Sequence, residues 1–199
     1  MNYLAHLYLS GNEPTLMIGN FIADHVKGKQ FDLYSKEIQK GILLHRSIDA
    51  FTDQHAVVQQ SKIILRPHFH KYAPVIVDVF YDHFLARDWM EYHPQTLEEY
   101  SNEVYQLMNK NNVMLPERAR IMLSYMSQYN WLLSYASIDG MERALSGLAS
   151  RTKFESRMEE APQFLLQHYD LFKEHFKNFF NELENHVAEE KQRLKNSLK

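Results

Sequence analysis

Apolar residues along most of the chain recur every three or four positions, which is the spacing of one face of an α-helix. This spacing predicts nine helices, near residues 3–10, 14–27, 35–53, 56–67, 74–90, 96–110, 116–135, 139–149 and 162–195. No convincing pair of alternating strands and no Asn-Gly hairpin turn accompanies them. The pattern therefore predicts an all-α fold, a single-domain helical bundle over residues 1–199.

Short sequence signals indicate where some of these helices begin and end. Thr96 followed by Glu99 has the form of a capping box, and Asp139 followed by Glu142 has the same form. The last helix is long, and its end, EEKQRLKNSLK, is highly charged. We therefore expect the last helix to be divided or frayed, with residues 188–199 as its frayed tail.

The bulk composition narrows the chemistry that the chain can perform. It has no cysteine, so any bound metal must be held by His, Asp or Glu. No apolar run approaches the roughly 20 residues of a membrane-spanning helix, and no signal-peptide pattern is present, so we expect a cytoplasmic protein without membrane association. The net charge of −3 argues against nucleic-acid binding. Residues 27–71 are nevertheless locally basic, which would suit an acidic partner.

The segment GILLHRSIDAFTDQH, residues 41–55, places charged side chains inside an otherwise apolar helix. His45, Asp49 and Asp53 are each four residues apart, so they form one stripe along that helix. A buried carboxylate is costly unless it is paired or bound to a metal. The stripe is therefore either an ion-pair network, to which Arg46 contributes, or part of a metal or phosphate site.

Three other segments carry the same residue types in apolar surroundings. They hold Asn20 and Asp24 in IGNFIADHVKG, Asp78, Asp82 and His83 in PVIVDVFYDHFLARDW, and His6 in NYLAHLYL. If the helices pack together, a divalent cation would neutralise the clustered carboxylates and could activate water for attack on a phosphoryl group. The Glu-x-x-His repeats of di-iron bundles and the Gly-x-Ser-x-Gly motif of serine hydrolases are absent. The cluster thus favours metal-assisted hydrolysis.

Several longer blocks resemble the acyl carrier protein phosphodiesterase family in order and spacing. They are MNYLAHLYLS, GNFIADHVKG, GILLHRSIDAFTD, APVIVDVFYDHFLARDW and ALSGLASR, and HYDLFKEHFKNFF resembles that family's C-terminal helix. The resemblance implies an all-α fold related to the HD-type metal-dependent phosphohydrolases. It also implies hydrolysis of the phosphodiester that joins 4′-phosphopantetheine to a serine of holo acyl carrier protein, with Mn²⁺ favoured and Mg²⁺ or Fe²⁺ as alternatives. The chain departs from the HD signature, because Arg46 follows His45 and the pair Asp82-His83 has the reverse order.

The resemblance and the cluster together lead to specific predicted roles. The predicted metal ligands are Asp24, His45, Asp49 and Asp82, with Asp53 as an additional or supporting ligand. His83 is predicted to protonate the leaving serine oxygen, because imidazole titrates near neutrality. Arg46 is predicted to hold a phosphate oxygen through two donors. His6 is a further catalytic candidate, with packing in the core as its alternative role.

Two other functions are compatible with the same residues. One is an HD-like phosphohydrolase for a small nucleotide or another phosphoester, and the other is a non-enzymatic helical binding module whose polar cluster is an ion-pair network. A small-molecule enzyme has little use for the basic residues Lys27, Lys29, Lys36 and Lys40 outside its pocket. A protein without bound metal would favour the binding module.

Overall fold

The computed structural model describes residues 1–197, and this part of the chain forms α-helices and short 3₁₀ turns without a β-strand. Its α-helices are α1 (Tyr3–Ser10), α2 (Pro14–Ile22), α3 (Lys36–Gln54), α4 (Ala56–Phe69), α5 (Ala73–Arg87), α6 (Leu97–Lys110), α7 (Glu117–Gln128), α8 (Trp131–Ser134), α9 (Ile138–Ala149), α10 (Ala161–Gln167) and α11 (Tyr169–Ser197). The all-α prediction is confirmed. None of these helices has the length and apolar character needed to cross a membrane.

Two of the predicted helices are each divided into two. The predicted helix over 116–135 is interrupted at Asn130, whose φ of 43° and ψ of 59° are left-handed. Asparagine adopts this conformation more readily than most residues. A residue in the left-handed conformation cannot continue a right-handed helix, so the helix ends here. The predicted helix over 162–195 is divided at His168, between α10 and α11. The division of the last helix agrees with the expectation that it would be divided or frayed. Apolar spacing continues across Asn130, which is why periodicity did not reveal that interruption.

Helix α11 remains regular to its end in the described part of the chain. It continues through Ser197 across most of the predicted frayed tail. Leu194 on this stretch is buried, and Glu190 forms a salt bridge to Arg193 three residues later, at 2.6 Å. Residues 198 and 199, the end of the predicted tail, lie outside the described residues.

The centre of the core is an aromatic seam between α11 and α5. The fully buried residues on the α11 side are Phe172, Phe176, Phe179, Phe180 and Leu183, which follow helical spacing. Phe80 of α5 contacts Phe172 edge-on at a centroid distance of 5.3 Å, and Phe84 stacks on Phe176 at 5.8 Å. Burying each such side chain contributes roughly 1.5–3 kcal/mol. This seam holds α5 in the middle of the bundle.

The helix caps agree with the sequence at one predicted site and differ at the other. Thr96 and Glu99 form the predicted capping box: Thr96 Oγ1 accepts from the Glu99 N–H at 3.2 Å, and the Glu99 carboxylate accepts from the Thr96 N–H at 3.0 Å. The predicted cap at Asp139 is wrong, because α9 begins earlier and Ser137 Oγ accepts from the Gly140 N–H at 3.1 Å. Asp139 instead lies in the first helical turn, where a negative charge is favourable.

Helices α2 and α3 approach each other at two glycines. A Cβ atom added to Gly19 would lie 2.1 Å from the Ile38 carbonyl oxygen, and one added to Gly41 would lie 2.2 Å from the Leu16 carbonyl oxygen. The two backbones are therefore in direct contact. Any larger residue at either position would push the helices apart.

We predict that Gly41→Ala destabilises the protein by about 1–3 kcal/mol, because the added methyl group collides with backbone atoms that cannot rotate away. Gly147→Ala is the matched control: a Cβ there meets no atom within 4 Å, so replacing a glycine inside α9 should stabilise by roughly 0.5–1 kcal/mol. Urea unfolding of the three proteins measures both changes. Equal stabilities for Gly41→Ala and the wild type would contradict the close helix contact.

Candidate metal centre

The first three helices bring polar residues from separate motifs to one cavity. Helix α1 carries His6, α2 carries Asn20, and α3 carries His45 and Asp49 one turn apart. Asp24 lies in a short 3₁₀ turn after α2. Helix α2 ends at Ile22, earlier than the predicted end at residue 27. The cavity has a volume of about 400 Å³, and four of these five side chains, all except that of Asn20, line it.

The buried amide of Asn20 links the two histidines. Its Nδ2 atom donates to the His6 carbonyl oxygen at 2.8 Å and to Ser10 Oγ at 2.9 Å. Since that carbonyl can only accept, the amide nitrogen must face it, and Oδ1 faces the imidazoles. Oδ1 accepts from Nδ1 of His6 at 2.9 Å and from Nδ1 of His45 at 3.0 Å. Asn20 thereby places a proton on Nδ1 of both rings.

The two imidazoles are stacked, and both present Nε2 to the carboxylate of Asp49. Their ring centroids are 4.0 Å apart with an interplanar angle of 17°. Asp49 Oδ1 lies 3.2 Å from His6 Nε2, and Asp49 Oδ2 lies 3.2 Å from His45 Nε2. Asp24 Oδ1 lies 3.3 Å from His45 Nε2. Potential ligand atoms of His6, His45 and Asp49 all lie within 4.8 Å of one another.

His6 provides the test of whether a metal fits this group. Burial lowers the pKa of His6 to about 4, so the ring is neutral at pH 7, and its one proton is on Nδ1. Nε2 therefore presents a lone pair, and it is buried without a hydrogen-bond partner among residues 1–197 although Asp49 Oδ1 is only 3.2 Å away. A lone pair and a carboxylate oxygen at this distance repel each other, whereas both would bind a cation. The donor set thus fits a divalent metal.

His45 is the charged partner of the group. Burial acts to lower its pKa, but hydrogen bonds and charge interactions with Asp24 and Asp49 outweigh burial and raise the pKa to about 9. The same contact with His45 holds the pKa of Asp24 below its usual range. The pKa of Asp49 is also lowered, because its contacts with both histidines outweigh its burial. In the absence of metal, His45 therefore holds at neutral pH a proton that a metal ion would displace.

Asp82, a predicted ligand, is separated from this group. It is fully buried, does not line the cavity, and uses both carboxylate oxygens at the start of α1. Oδ1 accepts from the Asn2 N–H at 3.2 Å, and Oδ2 accepts from the Leu4 N–H at 2.8 Å. Burial raises the pKa of Asp82 to about 7, against the lowering effect of the Met1 ammonium group and of these two donors. Asp82 therefore positions α1, and with it His6.

His83, the predicted proton donor, is also part of the protein's internal bonding. Its Nδ1 atom lies 2.8 Å from the Tyr135 carbonyl oxygen, and its Nε2 atom lies 2.8 Å from the Tyr169 hydroxyl. Burial lowers the pKa of His83, and the side chain does not line the cavity. These contacts tie α5 to the end of α8 and to the start of α11. Neither ring nitrogen faces the site where a substrate would react.

Arg46 and Asp53 lie on different sides of α3. Arg46 is exposed, its guanidinium carbon lies 5.5 Å from the Phe31 ring centroid, and it does not line the cavity. Asp53 does line the cavity, and its Oδ1 forms a salt bridge of 2.8 Å to Nζ of the buried Lys62. The stripe of His45, Asp49 and Asp53 therefore faces the cavity as predicted, whereas Arg46 points elsewhere.

Sequence reasoning missed the role of Asn20. An amide that is completely buried in the apolar segment IGNFI needs hydrogen-bond partners, and its spacing of four residues from Asp24 already placed both on one face. The sequence alone does not show that Asn20 lies within hydrogen-bond distance of two histidines on other helices. The central position of His6 was hidden for the same reason.

Comparisons with known proteins agree with the blocks noted in the sequence. The family model described as acyl carrier protein phosphodiesterase matches residues 1–183. A protein named acyl carrier protein phosphodiesterase from Klebsiella pneumoniae (strain 342) is 34% identical over 193 residues, which cover 96% of this chain and 100% of that protein. The proteins of that name from Enterobacter sp. (strain 638) and Escherichia coli O6:H1 are 33% and 30% identical, each over 90% of this chain and 94% of the relative.

The search of solved structures found no match to this chain. Family membership therefore rests on the sequence model, which covers residues 1–183, and on relatives aligned over nearly their whole lengths. The matched range contains α1, α2 and α3, which carry the histidines, the asparagine and the aspartates of the cavity. This chain belongs to the acyl carrier protein phosphodiesterase family.

Proposed function

We propose that this protein is a metal-dependent phosphodiesterase that hydrolyses the bond between 4′-phosphopantetheine and the serine of holo acyl carrier protein, releasing apo acyl carrier protein. The observation that carries the proposal is the buried lone pair of His6 Nε2 facing Asp49 Oδ1 at 3.2 Å, in a cavity that a substrate can enter. Relatives over nearly the whole chain bear the name of this activity. We also propose that the enzyme acts in the cytoplasm, because it would meet acyl carrier protein there.

The metal would be held by His6, His45 and Asp49, with Asp24 completing the set. These nitrogen and oxygen donors suit Mn²⁺, and also Mg²⁺ or Fe²⁺. When bound, such an ion lowers the pKa of a water molecule and neutralises charge on the phosphate. In this assignment His6 takes the ligand position that the sequence had suggested for Asp82.

The chain's own residues prepare this site before a substrate arrives. Asn20 holds both imidazoles with Nε2 toward the cavity, and Asp82 anchors the first turn of α1, which carries His6. Asp53 lies at the cavity wall with Lys62 compensating its charge. Two histidines and two aspartates gathered from several helices also agree with a divergent relationship to HD-type phosphohydrolases, which we retain as part of the proposal.

The proposal is tested by incubating holo acyl carrier protein with the enzyme and Mn²⁺ and measuring the intact mass of the carrier protein. We expect the wild type to remove the phosphopantetheine group and Asp49→Asn to be slower by about 100-fold or more, because Asp49 contacts both histidines. Arg46→Ala should retain activity, because Arg46 is exposed and lies outside the cavity.

Other outcomes of this experiment distinguish the rival functions. Loss of activity in Arg46→Ala would restore the phosphate-binding role predicted from the sequence. Hydrolysis of a generic phosphodiester without any loss of phosphopantetheine would favour an enzyme for a small phosphoester. A purified wild type that binds no Mn²⁺, Mg²⁺ or Fe²⁺ would favour a non-enzymatic binding module.

A second prediction concerns the support that Asn20 provides. Asn20→Leu is nearly isosteric but removes the acceptor for both Nδ1–H groups, so Mn²⁺ affinity should fall by about 10- to 100-fold. Asp53→Asn is the control, since Asp53 pairs with Lys62 rather than with the histidines. The Mn²⁺ affinity of this variant should match that of the wild type. Titration calorimetry gives both affinities, and circular dichroism checks the fold. Equal losses in the two variants would refute the role of Asn20.

A third prediction follows from the raised pKa of His45. Metal and proton compete for its Nε2 atom, and with a pKa of about 9 the ring becomes more protonated as pH falls below that value. Apparent Mn²⁺ affinity should therefore decrease about tenfold for each pH unit between about pH 8 and pH 6. Calorimetry in buffers of different ionisation enthalpy should detect release of about one proton per ion. Affinity that does not change over this range would exclude His45 as a ligand.

A further inference from the structure

A second cavity adjoins the candidate metal centre and shares three lining residues with it. Its volume is about 450 Å³, and it lies between the start of α1 and the helices α7, α8 and α9. Asn2, Tyr3 and Leu148 line both cavities. The two spaces, which we call the metal cavity and the side groove, are therefore direct neighbours.

One face of α9 forms a wall of the side groove. Gly140, Ala144 and Gly147 recur at helical spacing along this face, so the wall carries only small side chains. Arg151 lines the groove two residues beyond the end of α9. A Cβ atom added at Gly147 would meet nothing within 4 Å, which shows how much room the wall leaves. The side facing α9 includes the aromatic ring of Trp131.

The polar groups of the side groove suit an anionic ligand at the end nearest the metal. Arg143 and Arg151 line it, are exposed, and form no ion pair within the described residues. Tyr3 lines both cavities and shares the side groove with Arg151. Burial and the charge of Asp24 raise the pKa of Tyr3, and the charge of Arg151 acts to lower it. Arg151 is therefore near the junction, where a phosphate bound at the metal would end.

We propose that the side groove holds the pantetheine arm of the substrate, and that Arg151 contacts a phosphoryl oxygen at the junction. This inference rests on the proposed function. The scissile phosphodiester has a folded protein on one side and a slender chain on the other, and only the chain can enter a space of about 450 Å³. That chain carries two amides, a gem-dimethyl carbon and a terminal thiol, which match a groove of aromatic and aliphatic side chains with few polar groups.

The first test fills the groove from Gly147, where an added Cβ atom meets no other atom within 4 Å. Gly147→Phe should project a ring into the groove, whereas Gly147→Ala, the matched control, should leave it open. For Gly147→Phe we expect kcat/KM on holo acyl carrier protein to fall by about tenfold or more, mainly through KM, because binding of the arm is lost. Turnover of methyl p-nitrophenyl phosphate and affinity for Mn²⁺ should match the wild type, because both depend on the metal cavity. Gly147→Ala should resemble the wild type throughout.

The second test does not require catalysis. The chain has two tryptophans, of which Trp131 lines the groove, whereas Trp89 is buried and does not. Free pantetheine should change the intrinsic fluorescence of the wild type in a saturable way. The change should disappear in Trp131→Phe and weaken by about tenfold or more in apparent affinity in Gly147→Phe.

The two tests separate failure of this inference from failure of the proposed function. If the wild type releases phosphopantetheine and a folded Gly147→Phe does so equally well, the groove does not hold the arm although the activity stands. If the wild type is inactive on holo acyl carrier protein but pantetheine saturates the Trp131 signal, the groove binds the arm and the reaction was misassigned. If free pantetheine does not change the fluorescence of Trp131, the inference is overturned. This holds even if intact carrier protein changes that fluorescence, because the signal would then come from the protein part of the substrate.

Discussion

The arrangement of the candidate site depends on the direct contact between α2 and α3 at Gly19 and Gly41. Without side chains at these two positions, the backbones touch, and Asn20, the residue after Gly19, reaches His45, one turn beyond Gly41. A hydrogen bond is effective over only a few tenths of an ångström, so a small separation of the helices would break the one from His45 to Asn20. The same amide also accepts a hydrogen bond from His6, which brings α1 into position beside α2 and α3.

The aspartates of the cluster differ in the groups that lie beside their carboxylates. Asp82 accepts two backbone N–H groups, Asp78 accepts from the Met1 ammonium group at 3.0 Å, and Asp53 pairs with Lys62 at 2.8 Å. Each of these carboxylates has a donor or a positive charge beside it in the protein, although only Asp82 is fully buried and burial still raises its pKa. Asp49 differs, because one of its oxygens faces a neutral imidazole nitrogen that has no proton to donate. Asp49 is therefore the carboxylate beside which a bound cation would be most stabilising.

A metal cavity that adjoins a side groove suits a substrate with two unequal parts. In the proposed function, chemistry at the phosphate would use His6, His45, Asp49 and Asp24, which any small phosphodiester could reach. Discrimination between substrates would then come from the side groove, where α9 supplies a wall of small residues and Arg143, and Arg151 follows the helix. In this arrangement, binding energy from the arm would position the phosphate, as remote contacts do in many enzymes.

The sequence by itself determined the helical fold, the stripe of His45, Asp49 and Asp53, and the family, because periodicity, local spacing and block order are properties of neighbouring residues. It also collected the right kinds of residue for a metal site. Only the tertiary structure decided which of them meet: it brought His6 beside Asp49 and turned Asp82 and His83 toward internal partners. The reason is physical, since burial and spacing are alike for a ligand and for a structural carboxylate. The two differ only in which donors from other helices lie within hydrogen-bond distance.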